Sequence, residues 1–313
     1  MKPFFSIIIP LYNKKKYITS TLDSVFNQTF DDYEIIIVND GSTDNSIELV
    51  EKYKHPKIKV FHQKNKGVSS ARNLAMENAN GNFFCFLDAD DIWKENHLSI
   101  IHETIEKFPE AKMYCSRYIT QISDTAYTTN SFIDITDNYE GIVSDFFKSS
   151  YINRIALTSA VCIDKFVFTT LKGFDETISS GQDLDYWIKI ALNHKVAITK
   201  EVTMIYNFKQ DNKSLSRTNI NLKTIPNFDH YKAFELKNKS LKKFLDLYRV
   251  EYALQYKIAN NFIKTKELLS NVDIKKLPFK TKFLLKLPAT ILNVLLRLKH
   301  KLKQKGIDFT VYH

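Results

Sequence analysis

The sequence predicts an α/β protein with an open, doubly wound and mostly parallel β-sheet, followed by a helical and basic C-terminal appendage. Short apolar runs rich in β-branched residues alternate with amphipathic stretches between about residues 4 and 118. Each run is apolar along nearly its whole length, as expected for strands that a parallel sheet buries on both faces. Beyond residue 218 the chain is rich in lysine and contains a single glycine. We therefore predict an α/β domain over residues 1–218 and the appendage over residues 219–313.

The strands and helices of the predicted sheet follow one another in regular alternation. Five apolar runs are predicted as strands: FFSIIIP, YEIIIVN, IKVFH, NFFCFLD and AKMYCS. Helical spacing between the first four runs predicts helices over residues 15–27, 46–54 and 69–78. Further along, strands are predicted over residues 159–163 and 202–208, and a helix over residues 183–194. Ligands of such sheets bind at the carboxyl ends of the strands.

A less regular segment separates the two halves of the predicted sheet. Residues 119–150 are rich in Thr, Ser, Asp and Asn, which is typical of loops, and a short helix is predicted near residues 141–148. Loops in this position often determine specificity. We therefore expect the segment to vary and to contribute to substrate choice.

Composition excludes several classes of protein. The chain has 313 residues, 44% of them hydrophobic, which is enough to bury the core of one large domain. Its three cysteines, Cys85, Cys115 and Cys162, have neither CxxC spacing nor the pattern of a disulfide framework, so a reducing compartment is expected. The apolar run at the N-terminus stops at Pro10, too soon for the core of a signal peptide, and we interpret it as the first strand.

The formal charge of +10 is concentrated in one segment. Residues 274–307 contain ten basic residues and no acidic one, and outside them basic and acidic residues balance at 35 each. The basicity is therefore a property of the C-terminal tail. Because aromatic residues are not interleaved there as they are in a groove that binds single strands, we expect no nucleic-acid partner.

The first candidate site lies in VNDGSTDNS, where Asp40, Gly41 and Ser42 follow a predicted strand. A carboxylate in this place can accept hydrogen bonds from a nucleobase imide or a ribose hydroxyl, and Gly41 permits a tight turn. A turn followed by a helix N-cap is the simpler explanation of this motif taken alone.

The second candidate site is FCFLDADD, a hydrophobic strand that runs into Asp88, Asp90 and Asp91. Three such carboxylates repel one another unless a divalent cation or a set of donors neutralises them. Mg²⁺ and Mn²⁺ are typically held by few protein carboxylates together with substrate phosphates. We therefore infer a bound diphosphate with Mn²⁺ or Mg²⁺, and a capped helix start is the alternative.

Two further clusters stand at predicted helix starts. In NKGVSSARN, Asn65 and Gly67 precede Arg72, which can fork onto a phosphate or hold an acidic partner, unless it is an ordinary surface arginine. In GQDLDYW, Asp183 lies on the opening turn of a helix, where a carboxylate is stabilised and can act as a general base. Helix capping explains one such aspartate, but it does not explain all four clusters together.

Taken in order, these motifs resemble those of the family-two glycosyltransferases of bacterial surface-polysaccharide pathways. The motifs that carry the resemblance are SIIIPLYN, NDGSTD, NKGVSSARN, LDADD and GFDE followed by GQDLDYW. The resemblance covers residues 4–216, about two thirds of the chain. It implies the GT-A fold, a nucleotide-sugar donor with uridine as the favoured base, and inversion at the anomeric carbon. The implied acceptor is a glycan or a lipid-linked glycan.

The resemblance also implies roles for individual residues. Asp40 would recognise the donor base, Asp88 the ribose and Asp90 the metal, with Asp88 as a second candidate metal ligand. Asp183 would be the base that takes the proton of the acceptor. The other residues with an implied role in donor binding are Pro10, Tyr12, Asn13, Gly41, Ser42, Asn65, Gly67 and Arg72.

The chain departs from the family pattern at Gln182, where the family usually has a glutamate before the aspartate. A neutral side chain there puts the choice of acceptor in doubt, whereas Asp183 itself is kept. Further on, YNFKQDNKSLSR resembles the closing segment of the family. Ser214, Ser216 and Arg217 are therefore candidates for a flexible loop over the donor.

These residues together predict an inverting, metal-dependent glycosyltransferase of the hexosyl-transferring type. Its tasks are to neutralise the diphosphate, through the metal at Asp90, and to align and deprotonate a hydroxyl, through Asp183. A nucleotidyltransferase would normally have a glycine-rich loop after the first strand, where this chain has PLYNKKKY. A non-catalytic protein that binds nucleotide-sugars or glycans is the other alternative, and Gln182 leaves it open.

The basic tail from about Lys275 predicts attachment to an anionic membrane surface without a membrane-spanning helix. Its longest charge-free stretch, residues 287–296, contains a proline and is far shorter than the roughly 20 apolar residues of a spanning helix. Apolar residues recur at helical spacing among basic ones, as in interfacial helices: Ile291, Leu295, Leu298 and Leu302. We expect a cytoplasmic protein, peripheral on the inner face of the cell membrane. A helix packed on the protein's own core is the alternative.

Overall fold

The computed structural model describes residues 2–208 and 219–303, with side chains as far as Lys299. The strands within these ranges are β1 Phe5–Leu11, β2 Tyr33–Asp40, β3 Ile58–Gln63, β4 Phe83–Phe86, β5 Ile92–Trp93, β6 Ala111–Gln121, β7 Tyr127–Thr129, β8 Gly141–Ile142, β9 Val161–Asp164 and β10 Lys195–Asn207. The α-helices within them are α1 Ile18–Phe26, α2 Ser46–Glu51, α3 Val68–Glu77, α4 His97–Lys107, α5 Phe146–Ser149, α6 Lys165–Leu171, α7 Gln182–Asn193, α8 Lys232–Glu235, α9 Lys239–Ile258, α10 Phe262–Leu269, α11 Phe279–Lys286 and α12 Ala289–Lys303.

The strands form one mixed sheet in the order β3-β2-β1-β4-β9-β6-β10-β5, with β7 on β6 and β8 on β10. β1 lies parallel to β2 and β4, β2 is parallel to β3, and β6 is parallel to β10. The predicted doubly wound and mostly parallel sheet is therefore confirmed. β9 is an antiparallel strand between β4 and β6. Because helices cover both faces, β1 and β2 are buried along almost their whole length.

The segment between residues 119 and 150 is more regular than its composition predicts. β6 runs on to Gln121 because it pairs with β10, which begins at Lys195 rather than at the predicted residue 202. The helix predicted near residues 141–148 is wrong in its first half, since Gly141 and Ile142 pair with β10 as β8. The helix α5 begins only after Asp145, whose carboxylate accepts a hydrogen bond from the Lys148 amide at 2.9 Å.

The helices beyond residue 219 share a hydrophobic core with the sheet. Leu241, Phe244, Leu245, Tyr248 and Tyr252 of α9 belong to the same cluster of buried side chains as β1, β2 and β4. The division between residues 218 and 219 stays a prediction from composition, but α9 packs as a core helix. None of the helices in the described part of the chain combines the length and the apolar character of a membrane-spanning helix.

Replacing Leu245 by alanine is expected to lower the free energy of unfolding by about 2–5 kcal/mol, because the side chain is 0% exposed. Leu236→Ala is the matched control: Leu236 is 90% exposed, and the change should stay within about 0.5 kcal/mol. Urea unfolding is followed by tryptophan fluorescence, and both tryptophans, Trp93 and Trp187, precede residue 218. An unchanged tryptophan transition in Leu245→Ala would contradict a core shared between α9 and the sheet.

Candidate active site

The carboxyl ends of β1, β2, β3 and β4 lie at one edge of the sheet, and the predicted donor-binding residues follow them. Pro10 lies within β1, and Tyr12, next after the strand, is exposed. The loops after β1 and β2 are joined, because Asn13 Oδ1 accepts from the Thr43 amide at 2.7 Å and the Asn13 amide donates to Ser42 Oγ at 3.1 Å. These two motifs, distant in sequence, therefore form a single surface.

Asp40, at the end of β2, organises the loop between β3 and α3. Its Oδ1 accepts hydrogen bonds from Gln63 Nε2 at 2.7 Å and from the Lys66 amide at 2.8 Å, and its Oδ2 accepts from the Gly67 amide at 3.0 Å. Gly41 has φ +72°, and a Cβ there would lie 3.0 Å from the amide nitrogen of Asn65, so a glycine suits this position. The structure thus brings Asp40, Gly41, Asn65 and Gly67 together, while base recognition by Asp40 stays a prediction.

Arg72 holds an acidic partner, one of the two roles that its position suggests. Its Nη2 donates to Asp88 Oδ1 at 2.5 Å, and its guanidinium lies over the ring of Phe174, 5.2 Å from the ring centre. The side chain is only 3% exposed, and its Nε and Nη1 have no hydrogen-bond partner among the described residues. Arg72 is therefore a buried cation that faces the end of β4.

The carboxylates after β4 form ion pairs and hydrogen bonds with residues of other elements. Asp90, 5% exposed, forms an ion pair with Lys14 from the loop after β1. Asp91 accepts from Ser159 Oγ at 2.5 Å and from the Asn207 amide at 3.0 Å. Burial, and then the charges of Asp90 and Asp88, hold the pKa of Asp91 well above its usual range.

The pKa of Asp90 is also raised. Burial is the largest cause, the Lys14 ammonium opposes it, and the Asp88 carboxylate adds to it. Among the described residues, the Lys14 ammonium pairs with Asp90 and the Arg72 guanidinium pairs with Asp88.

The carboxylate oxygens of Asp90 and Asp88 are ligands of the kind that Mg²⁺ and Mn²⁺ prefer, so these two residues fit a divalent cation. Within residues 2–208 and 219–303, no group of three or more His, Cys, Asp or Glu side chains is arranged to hold an ion. A metal here would therefore complete its shell with oxygens that the protein does not supply, as Mg²⁺ and Mn²⁺ do with substrate phosphates.

Asp183 stands on the first turn of α7, beside Arg154. Arg154 Nη1 donates to Asp183 Oδ2 at 3.3 Å. A small cavity of about 10 Å³ adjoins the pair, with a mainly apolar lining that includes Trp187, Phe244 and Tyr248. α7 packs on the sheet through the contact of Trp187 with Phe86 of β4, at 5.4 Å between ring centres, and Trp187 also contacts Phe174 of the loop before α7, at 5.6 Å.

A half-buried tyrosine of β10, Tyr206, interacts electrostatically with both groups of charges. Burial raises its pKa, and the charges of Asp91 and Asp90 raise it further, whereas Arg154 opposes them. Asp88 also acts on Tyr206. The helix α7, which begins next to Asp183, packs on the strand that leads into these carboxylates, because Trp187 contacts Phe86 of β4.

Sequence reasoning missed several residues of this arrangement: Lys14, Ser159, Arg154 and Tyr206. Lys14 directly follows the SIIIPLYN motif, and Ser159 is the first residue of a predicted strand. The sequence therefore shows that both residues stand near the site, but it does not show which side chains they contact. Arg154 lies in a stretch without a recognisable pattern. Ser214, Ser216 and Arg217, the candidates for a loop over the donor, lie outside the described residues.

The arrangement can be compared with known proteins. A family model described as Glycosyl transferase family 2 matches residues 6–176, more than half of the chain. The chain belongs to glycosyl transferase family 2. Enzymes of this family generally use divalent metals.

Curated relatives are similar to this family-2 chain over part of their length. An uncharacterized glycosyltransferase of Rickettsia bellii is 32% identical over 76% of the chain and 33% of its own length. A chondroitin synthase of Escherichia coli is 32% identical over 60% of the chain and 26% of its own length. A hyaluronan synthase of Pasteurella multocida is 29% identical over 71% and 22%. The chain therefore spans about a third or less of these relatives.

Solved structures show the same fold. The crystal structure of S. aureus TarS 1-349 in complex with UDP-GlcNAc matches 86% of this family-2 chain and 91% of that chain, with a TM-score of 0.59 and 20% identity. The crystal structure of S. aureus TarS matches 96% of this chain and 55% of that one, with a TM-score of 0.62 and 21% identity. The predicted GT-A fold is confirmed.

Proposed function

We propose that the chain is an inverting glycosyltransferase that moves a hexosyl group from a UDP-sugar to a hydroxyl of a glycan or lipid-linked glycan. The observation that carries the proposal is that α7, with Asp183 on its first turn, packs through Trp187 on Phe86 of β4, the strand that leads into Asp88, Asp90 and Asp91. One acidic group can serve the leaving diphosphate while the other takes a proton. The solved complexes of TarS with UDP and UDP-GlcNAc support a uridine donor.

On the donor side, the chain offers the loop that Asp40 organises and a set of charged groups. Asp40 and the loop that it organises would receive the nucleobase, and the exposed Tyr12 offers a ring for stacking. Lys14 and Arg72 bring positive charge toward a diphosphate. Mn²⁺ or Mg²⁺, held by Asp90 and Asp88, would supply Lewis-acid stabilisation of the negative charge on the leaving group.

On the acceptor side, Asp183 acts as general base. The acceptor oxygen forms a bond to the anomeric carbon as the bond from that carbon to the UDP oxygen breaks, and the hydroxyl proton passes to the Asp183 carboxylate. Attack opposite the leaving group inverts the anomeric centre in one step, without a covalent intermediate.

The test of the activity is a donor panel. Purified protein is incubated with UDP-glucose, UDP-N-acetylglucosamine, UDP-glucuronic acid and the corresponding GDP-sugars, with Mn²⁺ or Mg²⁺ and candidate glycan acceptors. We expect nucleotide release that depends on both a UDP-sugar and an acceptor. Nucleotide release from none of the UDP-sugars, despite UDP binding, would favour a non-catalytic binding protein.

Asp183→Asn is expected to lower kcat for transfer by about 10²–10⁴-fold, because the amide has nearly the shape of the carboxylate but cannot accept the proton. The affinity for UDP, measured by calorimetry, should stay unchanged. Asp185→Asn is the matched control on the same turn, since Asp185 accepts a hydrogen bond from the Tyr231 hydroxyl at 2.5 Å instead. Transfer by Asp183→Asn within a few fold of the parent would remove Asp183 from this role.

Asp90→Ala is expected to abolish the dependence of UDP affinity on Mn²⁺, because Asp90 is the buried carboxylate that would join the ion to the protein. Calorimetric titrations with UDP are compared with Mn²⁺ and with a chelator. Asp31→Ala serves as control, since Asp31 is an exposed carboxylate that precedes β2 at the opposite edge of the sheet. Equal UDP affinity of the parent protein with and without chelator would contradict the metal role.

We also propose that the protein works as a peripheral protein on the inner, cytoplasmic face of the cell membrane, through α12 and its basic surroundings. The helix packs on α9, and Leu292 is its buried contact. Ile291, Val294, Leu295 and Leu298 form a stripe of exposed apolar side chains at helical spacing, and Val294 is 65% exposed. Phe279 and Phe283 of the lysine-rich α11 are exposed as well.

This pattern supports an anionic lipid surface as the binding partner of the exposed stripe of α12. Exposed apolar residues among basic ones, without an acidic residue between positions 274 and 307, combine burial in the interface with attraction to lipid charge. The alternative is a helix whose apolar stripe packs on the protein's own core. The described part of the stripe faces solvent instead, which argues against that alternative. Leu302, the last member predicted, has no described side chain.

Replacing Val294 and Leu298 by serine together is expected to weaken binding to vesicles of phosphatidylglycerol by at least about tenfold, because two apolar side chains lose their burial. The parent should bind these vesicles in a flotation assay, bind phosphatidylcholine vesicles weakly, and be released as salt is raised. Leu222→Ser removes a leucine that is 83% exposed elsewhere on the protein and is the control. If the parent ignores phosphatidylglycerol at low salt, the membrane assignment fails.

A further inference from the structure

The helical C-terminal region contacts the residues next to Asp183, the predicted general base, and the proposed mechanism does not yet explain these contacts. The residues before Asp183 are held from that region: the amides of Ser179 and Ser180 donate to the Thr224 carbonyl at 2.9 and 3.1 Å. Tyr252 of α9 donates to the Ser180 carbonyl at 3.4 Å. The start of α7 is therefore fixed from outside the first 218 residues.

At Gly181, the residue that caps α7, the backbone lies very close to α9 and to the loop that contains Pro226. Gly181 has φ +82°, and a Cβ at this position would lie 2.4 Å from the Tyr252 hydroxyl and 3.2 Å from Pro226 Cδ. A larger residue would be strained at this φ and would push aside the Tyr252 hydroxyl or the Pro226 ring. The backbone two residues before Asp183 thus has little room to move.

Arg154 makes the second connection between α9 and the base. Its Nη1 lies 3.3 Å from Asp183 Oδ2, and its guanidinium lies over the ring of Tyr248, 5.4 Å from the ring centre. The backbone carbonyl of Arg154 accepts from the Tyr118 hydroxyl at 2.9 Å, which ties the residue to β6. The arginine is thus held at its backbone by the sheet and at its head by α9.

We propose that Arg154 is a positioning residue for Asp183 and that Tyr248 of α9 holds it in place. This inference rests on the proposed role of Asp183 as the base. A guanidinium that engages one carboxylate oxygen orients the other toward the acceptor hydroxyl. The Arg154 side chain is 42% exposed, so the pair opens toward solvent on a side from which an acceptor can approach.

This role of Tyr248 can be distinguished by experiment from a purely structural role of α9. A helix that only completes the core would affect stability, whereas Tyr248 would affect turnover through the position of Arg154. The contact on which the proposal rests is that of the Arg154 guanidinium with the aromatic face of Tyr248. Phenylalanine should therefore replace tyrosine here, and leucine should not.

The experiment compares Arg154→Met, Arg154→Lys, Tyr248→Phe and Tyr248→Leu in the full chain, by UDP release from the best UDP-sugar of the donor panel with its acceptor. Arg154→Met is expected to lower kcat by about 10–100-fold with an unchanged KM for the UDP-sugar. Arg154→Lys should recover part of the rate because it restores a cation. Tyr248→Phe should match the parent, and Tyr248→Leu should lose kcat with an unchanged donor KM.

The controls distinguish the possible failures. Thermal unfolding is measured for each variant, and if Arg154→Met does not fold, the two Tyr248 variants decide. Transfer by Asp183→Asn at the rate of the parent overturns the role of Asp183 as base, and this inference with it. If Asp183→Asn is inactive but Arg154→Met keeps kcat within twofold, the positioning role alone is overturned. Equal losses in Tyr248→Phe and Tyr248→Leu would contradict the contact through the ring.

Discussion

The accumulation of negative charge at the end of β4 is the constraint on which the rest of the site depends. Asp90 and Asp91 are almost completely buried, and a buried carboxylate costs several kcal/mol unless other groups compensate it. The compensating groups arrive from distant elements: Lys14 after β1, Arg72 on α3, Ser159 before β9 and the Asn207 amide at the end of β10. Neutralising one short segment therefore joins the ends of several strands.

A second constraint is the aromatic packing that holds α7, the helix that begins next to Asp183. Phe174 connects this packing with the charged groups, because it lies under the Arg72 guanidinium and also packs against Trp187 of α7. Asn73 fixes its backbone, donating to the Phe174 carbonyl and accepting from its amide, both at 2.9 Å. The motifs NKGVSSARN and GFDE, about 100 residues apart in sequence, are thereby one structural unit.

Periodicity predicted the parallel part of the sheet because each buried strand is apolar on both faces, as in Ile35 to Val38. It failed where pairing with a distant strand decided the outcome. Gly141 and Ile142 carry no strand pattern, and they become β8 only because β10 presents a free stretch at Ala197 and Ile198. The direction of β9 has the same origin, since a run of four residues contains nothing that distinguishes parallel from antiparallel neighbours.

The sequence by itself determined the family, the sheet and the candidate carboxylates, because strand composition and the polar residues that follow each strand are local properties of the chain. Only the tertiary structure decided their partners. The pairing of Asp88 with Arg72, of Asp90 with Lys14 and of Asp183 with Arg154 joins segments 16, 76 and 29 residues apart. The placement of α9 against the base was equally beyond the sequence. Its tyrosines have the spacing of an ordinary amphipathic helix, and only the packed core shows that Tyr248 faces Arg154.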